Sequence, residues 1–231
     1  MKSSLLVASI ALAVLIFPVA AQAGIQPTKG VGWGPRTSKA AAKLVDRNGF
    51  EPRPQNRARN HRVPGKKMLQ RWRKRSEMPY AYSVDGRFRG TTDEIIQWAA
   101  RKWGINTNLM RAVATVESWW EMSTRGDSGD SFGLYQVRRP YHCWGKCKIA
   151  RYYTAFNADY FGAIIRSYYD GKQTWLLSEQ GGKPYRAGDI KGSLGAWYSG
   201  RWWLPSIQEY LNNIEVRRKE GTWHQPYFVG R

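Results

Sequence analysis

Apolar residues recur at helical spacing in five stretches of the chain, and each carries its own start or stop signal. In the first, Thr91 and Glu94 form a capping box. Ile95, Trp98, Ala99 and Lys102 follow on one face, and Gly104 ends the run. In the second, Asn106 caps Leu109, Met110, Val113, Val116 and Trp120. The third sets Tyr160, Phe161, Ile164, Ile165, Tyr168 and Tyr169 in register and stops at Gly171. The fourth aligns Ile190, Leu194 and Trp197, with Gly192 and Gly195 permitting close approach. The fifth opens near Pro205 and buries Ile207, Tyr210, Leu211 and Ile214. The pattern predicts a mainly α domain with short connections. Any sheet should be small and lie near the glycine-rich stretch around Gly126–Gly133.

One position breaks the pattern. Glu117 stands four residues after Val113 and seven after Met110, on the apolar stripe and not the wet face. A carboxyl held against apolar groups resists ionisation, which is what a general acid working near neutral pH requires. A structural ion pair is the competing reading of an acid so placed.

The first 78 residues read differently. Lys2, the apolar run from Leu5 to Phe17 and Ala21-Gln22-Ala23 have the form of a secretory signal peptide over 1–23. The run is short for a membrane span, and no later segment is long and apolar enough for one, so no stable membrane insertion is expected after cleavage. From Gly24 to Met78 there are 15 Lys and Arg against 3 Asp and Glu, five prolines and little hydrophobic periodicity. This stretch reads as a disordered or loosely ordered basic arm, with a short basic helix near Met68–Arg75, outside a folded domain running from Pro79 to Arg231.

The segment around Glu117 brings in a resemblance. Glu117-Ser118, Gly126-Asp127 and Phe132-Gly133-Leu134-Tyr135-Gln136-Val137 are similar to the Glu-Ser helix end and the Gly-Leu-Met-Gln run of soluble-type (SLT) lytic transglycosylases. They are similar also to the corresponding loop of goose-type lysozymes. Tyr135 stands where Met is usual. Asn157 and Gly162 resemble a later Asn-x-x-x-Gly helix, one residue further apart, and "GAWYSG" resembles the Ala-Tyr-Asn-x-Gly segment. The resemblance spans roughly Thr91 to Leu211. It implies a lysozyme-like helical fold, peptidoglycan glycan strands as substrate, and no cofactor or metal.

It also implies roles. Glu117 would protonate the glycosidic oxygen, then draw a proton from the sugar's own 6-hydroxyl to close a 1,6-anhydro ring, the tethered nucleophile needing no second carboxylate. Ser118, Gly133, Tyr135 and Gln136 would contact or orient the sugar. A hydrolase would need a second acid, for which Asp127 is the candidate; Arg138 stands where goose-type enzymes place a further Asp. In the third segment two registers are open. Tyr198 is favoured as the partner of the catalytic carboxylate, because a phenol can hydrogen-bond it, with Trp197 assigned to the core. Arg201 and Trp202 are cleft candidates, for a carboxylate and a sugar face respectively.

Cys143 and Cys147 are the only cysteines, and in an exported chain so close a pair reads as a disulfide. With His142 they would make a poor zinc site. The formal net charge of +20 suggests nucleic acid, but export and the lack of a nucleic-acid motif argue against it. Anionic envelope polymers are the expected partners of the basic arm, and a secreted, periplasmic or wall-associated location follows from the leader. A wall-binding protein without chemistry is the remaining alternative, disfavoured by Glu117.

Overall fold

A computed structural model describes residues 35–230. The expected signal peptide and the first residues of the expected arm lie outside the described part. Ten α-helices are present among the described residues: α1 (Ser38–Ala42), α2 (Arg57–Asn60), α3 (Lys66–Arg73), α4 (Thr92–Trp103), α5 (Thr107–Ser118), α6 (Lys148–Tyr152), α7 (Thr154–Tyr169), α8 (Ile190–Ser199), α9 (Ile207–Glu220) and α10 (Pro226–Val229). The chain is mainly helical. Its sheet is small: β1 (Arg125–Gly126), β2 (Ser131–Phe132) and β3 (Val137–Arg138) pair antiparallel in that order, with Phe132 opposite both Arg125 and Val137. Among these residues no helix is long and apolar enough to cross a membrane.

The local signals explain the main helices. Thr91 and Glu94 close a reciprocal capping box on α4, and Gly104 ends it at φ 67°, a left-handed turn that glycine adopts without a Cβ clash. Asn106 accepts a hydrogen bond from the Leu109 backbone N–H at the start of α5. α7 is buried on every side, as its run of apolar and aromatic residues requires, and α4, α6 and α8 pack around it. α5 lies between α4 and α9.

From Pro35 onward the expected arm is part of the fold. α1 packs on α4, and the Trp98 indole donates to the Ser38 carbonyl at 3.1 Å. Leu69 and Trp72 of α3 are buried, with Trp72 edge-on to Phe156 of α7 at 5.1 Å. Arg53 is fully buried and donates to the carbonyls of Trp119 and Phe228, each at 2.7 Å. The Asn56 side chain donates to the Trp120 carbonyl at 2.6 Å and accepts from the Met122 N–H at 3.0 Å. The expected boundary at Pro79 therefore does not separate an arm from a domain. What anchors this stretch is a few buried polar side chains whose partners lie far away in sequence. Hydropathy averaged along the chain cannot register them.

Candidate active site

Glu117 sits in the last turn of α5. Immediately after it the chain turns sharply: Trp119 and Trp120 have φ of 52° and 64°. Of the seven non-glycine residues at positive φ among the described residues, five lie between Trp119 and Gln136. Such conformations cost of order 1–3 kcal/mol each and persist where the surroundings over-determine them, as at functional sites. Here the surroundings are identifiable. Arg53 and Asn56 hold the two tryptophan carbonyls, and Ser118 Oγ donates to the Leu134 carbonyl at 2.8 Å. Asn157 accepts from the Tyr135 N–H at 2.9 Å and donates to the carbonyls of Phe132 and Ala150. The helix end and the loop after it are thereby fixed to α7.

Glu117 opens into a cleft of about 1190 Å³. One wall is the sheet, with Asp127, Gln136 and Arg138. Another is the end of α8, with Trp197, Tyr198 and Arg201. The segment Arg75–Pro79 and the loop carrying Trp175 complete it. Half-buried Glu117 accepts a hydrogen bond from the Tyr210 hydroxyl at 2.5 Å, and the Trp197 indole lies near enough to favour its ionised form. Burial pushes its carboxyl up from 4.5 to about 7. The Tyr210 and Trp197 donors oppose that rise, and the negative charge of Asp127 adds to it. Burial and the neighbouring carboxylate raise the Tyr210 phenol well above its usual value, so it remains a donor.

Trp197 is itself supported. The His142 ring stacks on it at 5.0 Å, and His142 Nδ1 shares a hydrogen bond with the Tyr160 hydroxyl at 2.7 Å. Burial, with the positive charge of Arg138, lowers the His142 imidazole to about 4, so it stays neutral. His142 precedes the Cys143–Cys147 disulfide, which is present with a Cα–Cα separation of 5.4 Å. Among the described residues no three His, Cys, Asp or Glu side chains are grouped to hold a metal.

The cleft brings together Glu117, Asp127, Gln136, Tyr198 and Arg201. Asp127 is exposed, accepts from Ser131 Oγ and faces Arg138 at 3.5 Å. The Gln136 amide donates to the Gly133 carbonyl at 2.7 Å. Arg201 pairs with Glu179 at 3.1 Å on the rim. Tyr198 is not the partner of Glu117. It stacks on Tyr210 at 4.4 Å and is 54% exposed, whereas the indole of Trp197, assigned to the core, reaches the carboxylate. The remaining expected ligands are structural. Ser118 bonds the loop. Tyr135 is fully buried, stacked on Phe161 at 4.1 Å, with its hydroxyl on the Met110 carbonyl. Trp202 is fully buried and donates to the Pro184 carbonyl at 3.1 Å. Gly133 has φ 74°, and a Cβ there would stand 2.8 Å from Asn157 Nδ2, so the close approach it allows is to Asn157. Tyr210 and His142 are the site residues that sequence reasoning missed. Tyr210 sits among Ile207, Leu211 and Ile214 in a core pattern, and nothing local reveals where its hydroxyl points.

The raised proton affinity has a measurable consequence. Between pH 4.5 and about 7 the folded chain holds a proton on Glu117 that the unfolded chain releases. This group's contribution to stability is therefore fully present below pH 4.5 and lost as pH rises through about 7. The difference corresponds to about 3 kcal/mol. Glu117→Gln should remove it, so the variant should resist urea better than the wild type at pH 8, with the gap closing at pH 5. A gap that ignores pH would contradict the burial argument.

Compared with known proteins, the chain matches no family model, no curated protein and no solved structure.

Proposed function

We propose that this chain is an exported, lysozyme-like enzyme that cleaves the β-1,4 bond between MurNAc and GlcNAc in peptidoglycan, acting as a lytic transglycosylase. The observation that carries the reading is Glu117, a carboxyl at the base of an open cleft with its affinity for a proton raised to about 7. A carboxyl so raised keeps a share of its protons near neutral pH, so it can protonate the leaving oxygen and, once ionised by that transfer, take a proton back.

In this reading protonated Glu117 gives its proton to the glycosidic oxygen as the C1–O bond breaks. The carboxylate so formed, held by Tyr210 and Trp197, stabilises the oxocarbenium-like sugar. It then takes the proton of the 6-hydroxyl while O6 bonds to C1. No water is consumed, and Glu117 ends protonated. The exposed rings of Tyr141, Trp175 and Tyr198 offer flat apolar faces for sugars along the cleft. No cofactor is needed.

Asp127 supports the second reading, an inverting hydrolase. It lines the same cleft, and its charge is felt by Glu117. Ser131 and Arg138 both engage its Oδ2 and leave Oδ1 open; what weighs against that role is Arg138 itself, which stands where goose-type enzymes place a further Asp. On one glycan substrate, Asp127→Asn should therefore lower kcat only several-fold, far short of the ~10²–10⁴-fold expected when general acid–base catalysis is removed. A defect equal to that of Glu117→Gln would favour the hydrolase.

A further inference from the structure

We infer that the outer face of α3 is a docking ridge for the acidic peptide stems carried by a glycan strand as it leaves the cleft, an inference that rests on the glycan-cleaving reading above. Nine of the nineteen residues from Arg57 to Arg75 are Lys or Arg, and none is Asp or Glu. The packing of Leu69 and Trp72 fixes α3 in place, so its charges are held on a rigid surface. Lys67, Arg71 and Lys74 stand at i, i+4 and i+7, one stripe of the helix facing away from Leu69 and Trp72. All three are exposed, and none forms an ion pair with an acid among the described residues.

Local physics opposes this arrangement. Like charges three and four residues apart on a helix repel. Lys66 and Lys67 occupy the first turn, where the helix dipole disfavours cations and no acid offsets them. An anionic partner would relieve both conflicts. The ridge is continuous with the cleft, because the segment that follows α3, Arg75–Pro79, forms part of the cleft wall. From Lys67 to Arg73 the helical rise is about 9 Å, so the stripe ends next to that wall segment. The sugars themselves are neutral at the glycosidic backbone. The anions such a strand carries at regular intervals are the carboxylates of its peptide stems, which outnumber the single lactyl carboxylate per MurNAc that a stripped strand exposes.

The test compares stem-bearing strands with strands stripped of their stems, using the full chain and the variant K67Q/R71Q/K74Q. These three side chains are exposed, and thermal unfolding checks that the variant is folded. At low salt the wild type should favour stem-bearing strands in kcat/KM by about tenfold, the lower end of what electrostatic steering gives. That ratio should fall to near one in the variant, and in the wild type at high salt. A general folding defect would lower both rates and leave the ratio unchanged. A variant that unfolds like the wild type yet keeps the wild-type ratio overturns the inference. So does one that loses binding to anionic lipid vesicles or polyphosphate while its strand preference persists. If neither protein cleaves either strand, the glycan-cleaving reading fails; co-sedimentation with the two kinds of strand then decides the inference separately, with selective, charge-dependent retention of stem-bearing strands supporting it and equal retention overturning it.

Discussion

Glu117→Gln should lower kcat/KM for glycan cleavage by about 10²–10⁴-fold while leaving the fold and strand binding in place. The substitution keeps shape and volume. An amide oxygen can still accept from the Tyr210 hydroxyl, which stands 2.5 Å from Glu117 Oε1. What the amide cannot do is donate a proton to a leaving oxygen and retrieve one afterwards. The defect should therefore fall on kcat and not on strand affinity, and the variant should be no less stable at pH 8 than the wild type. Release of soluble fragments from purified walls, measured beside co-sedimentation with the same walls, separates the two effects. Full activity in the variant would remove Glu117 from the chemistry.

A chain beginning at Pro79 should fail to fold cooperatively. It would lose Leu69 and Trp72 from the core; deleting a single buried Trp side chain costs about 3–5 kcal/mol. It would also lose Arg53 and Asn56, leaving the carbonyls of Trp119, Trp120 and Phe228 without their donors. Each buried group so abandoned costs roughly 1–3 kcal/mol. Together these losses match or exceed the roughly 5–15 kcal/mol that holds a domain folded. The damage centres on the turn beyond Glu117, where Trp119 and Trp120 are held at positive φ. Circular dichroism and thermal unfolding of the truncated chain give the answer. A sharp transition near that of the full chain would show that residues 35–78 are dispensable for folding.

The helices were legible wherever a signal was local. The capping box at Thr91, the cap at Asn106 and the stop at Gly104 each act within a turn of where they stand in sequence. Glu117 was legible for a related reason: a helix with a 3.6-residue period assigns every position to a face, and an acid on the wrong face is conspicuous. The environment of that acid was not legible. Tyr210 and Ile207 share a pattern, yet only Tyr210 carries a hydroxyl that meets Glu117 across 93 residues of sequence. Trp197 and Tyr198 are neighbours in one helix. Their roles are separated by the rotation of α8, which the residues alone leave ambiguous. Tyr135 and Trp202 sit beside site residues in sequence but point into the core. The same blindness hid the packing of residues 35–78, which rests on Glu51, Arg53, Asn56 and Asn60. The Glu51 carboxylate, for example, accepts from the Thr92 N–H at 2.7 Å. Polar residues that satisfy one another at long range look, in a hydropathy profile, like solvated chain.

Mass spectrometry of the fragments released from purified peptidoglycan tests the central claim most directly. If Glu117 acts alone and the 6-hydroxyl is the nucleophile, every new muramic end should be a 1,6-anhydro end, one water lighter than a reducing end. Reducing ends in their place would contradict the transglycosylase account and assign the reaction to hydrolysis, and an absence of fragments would contradict the enzyme itself.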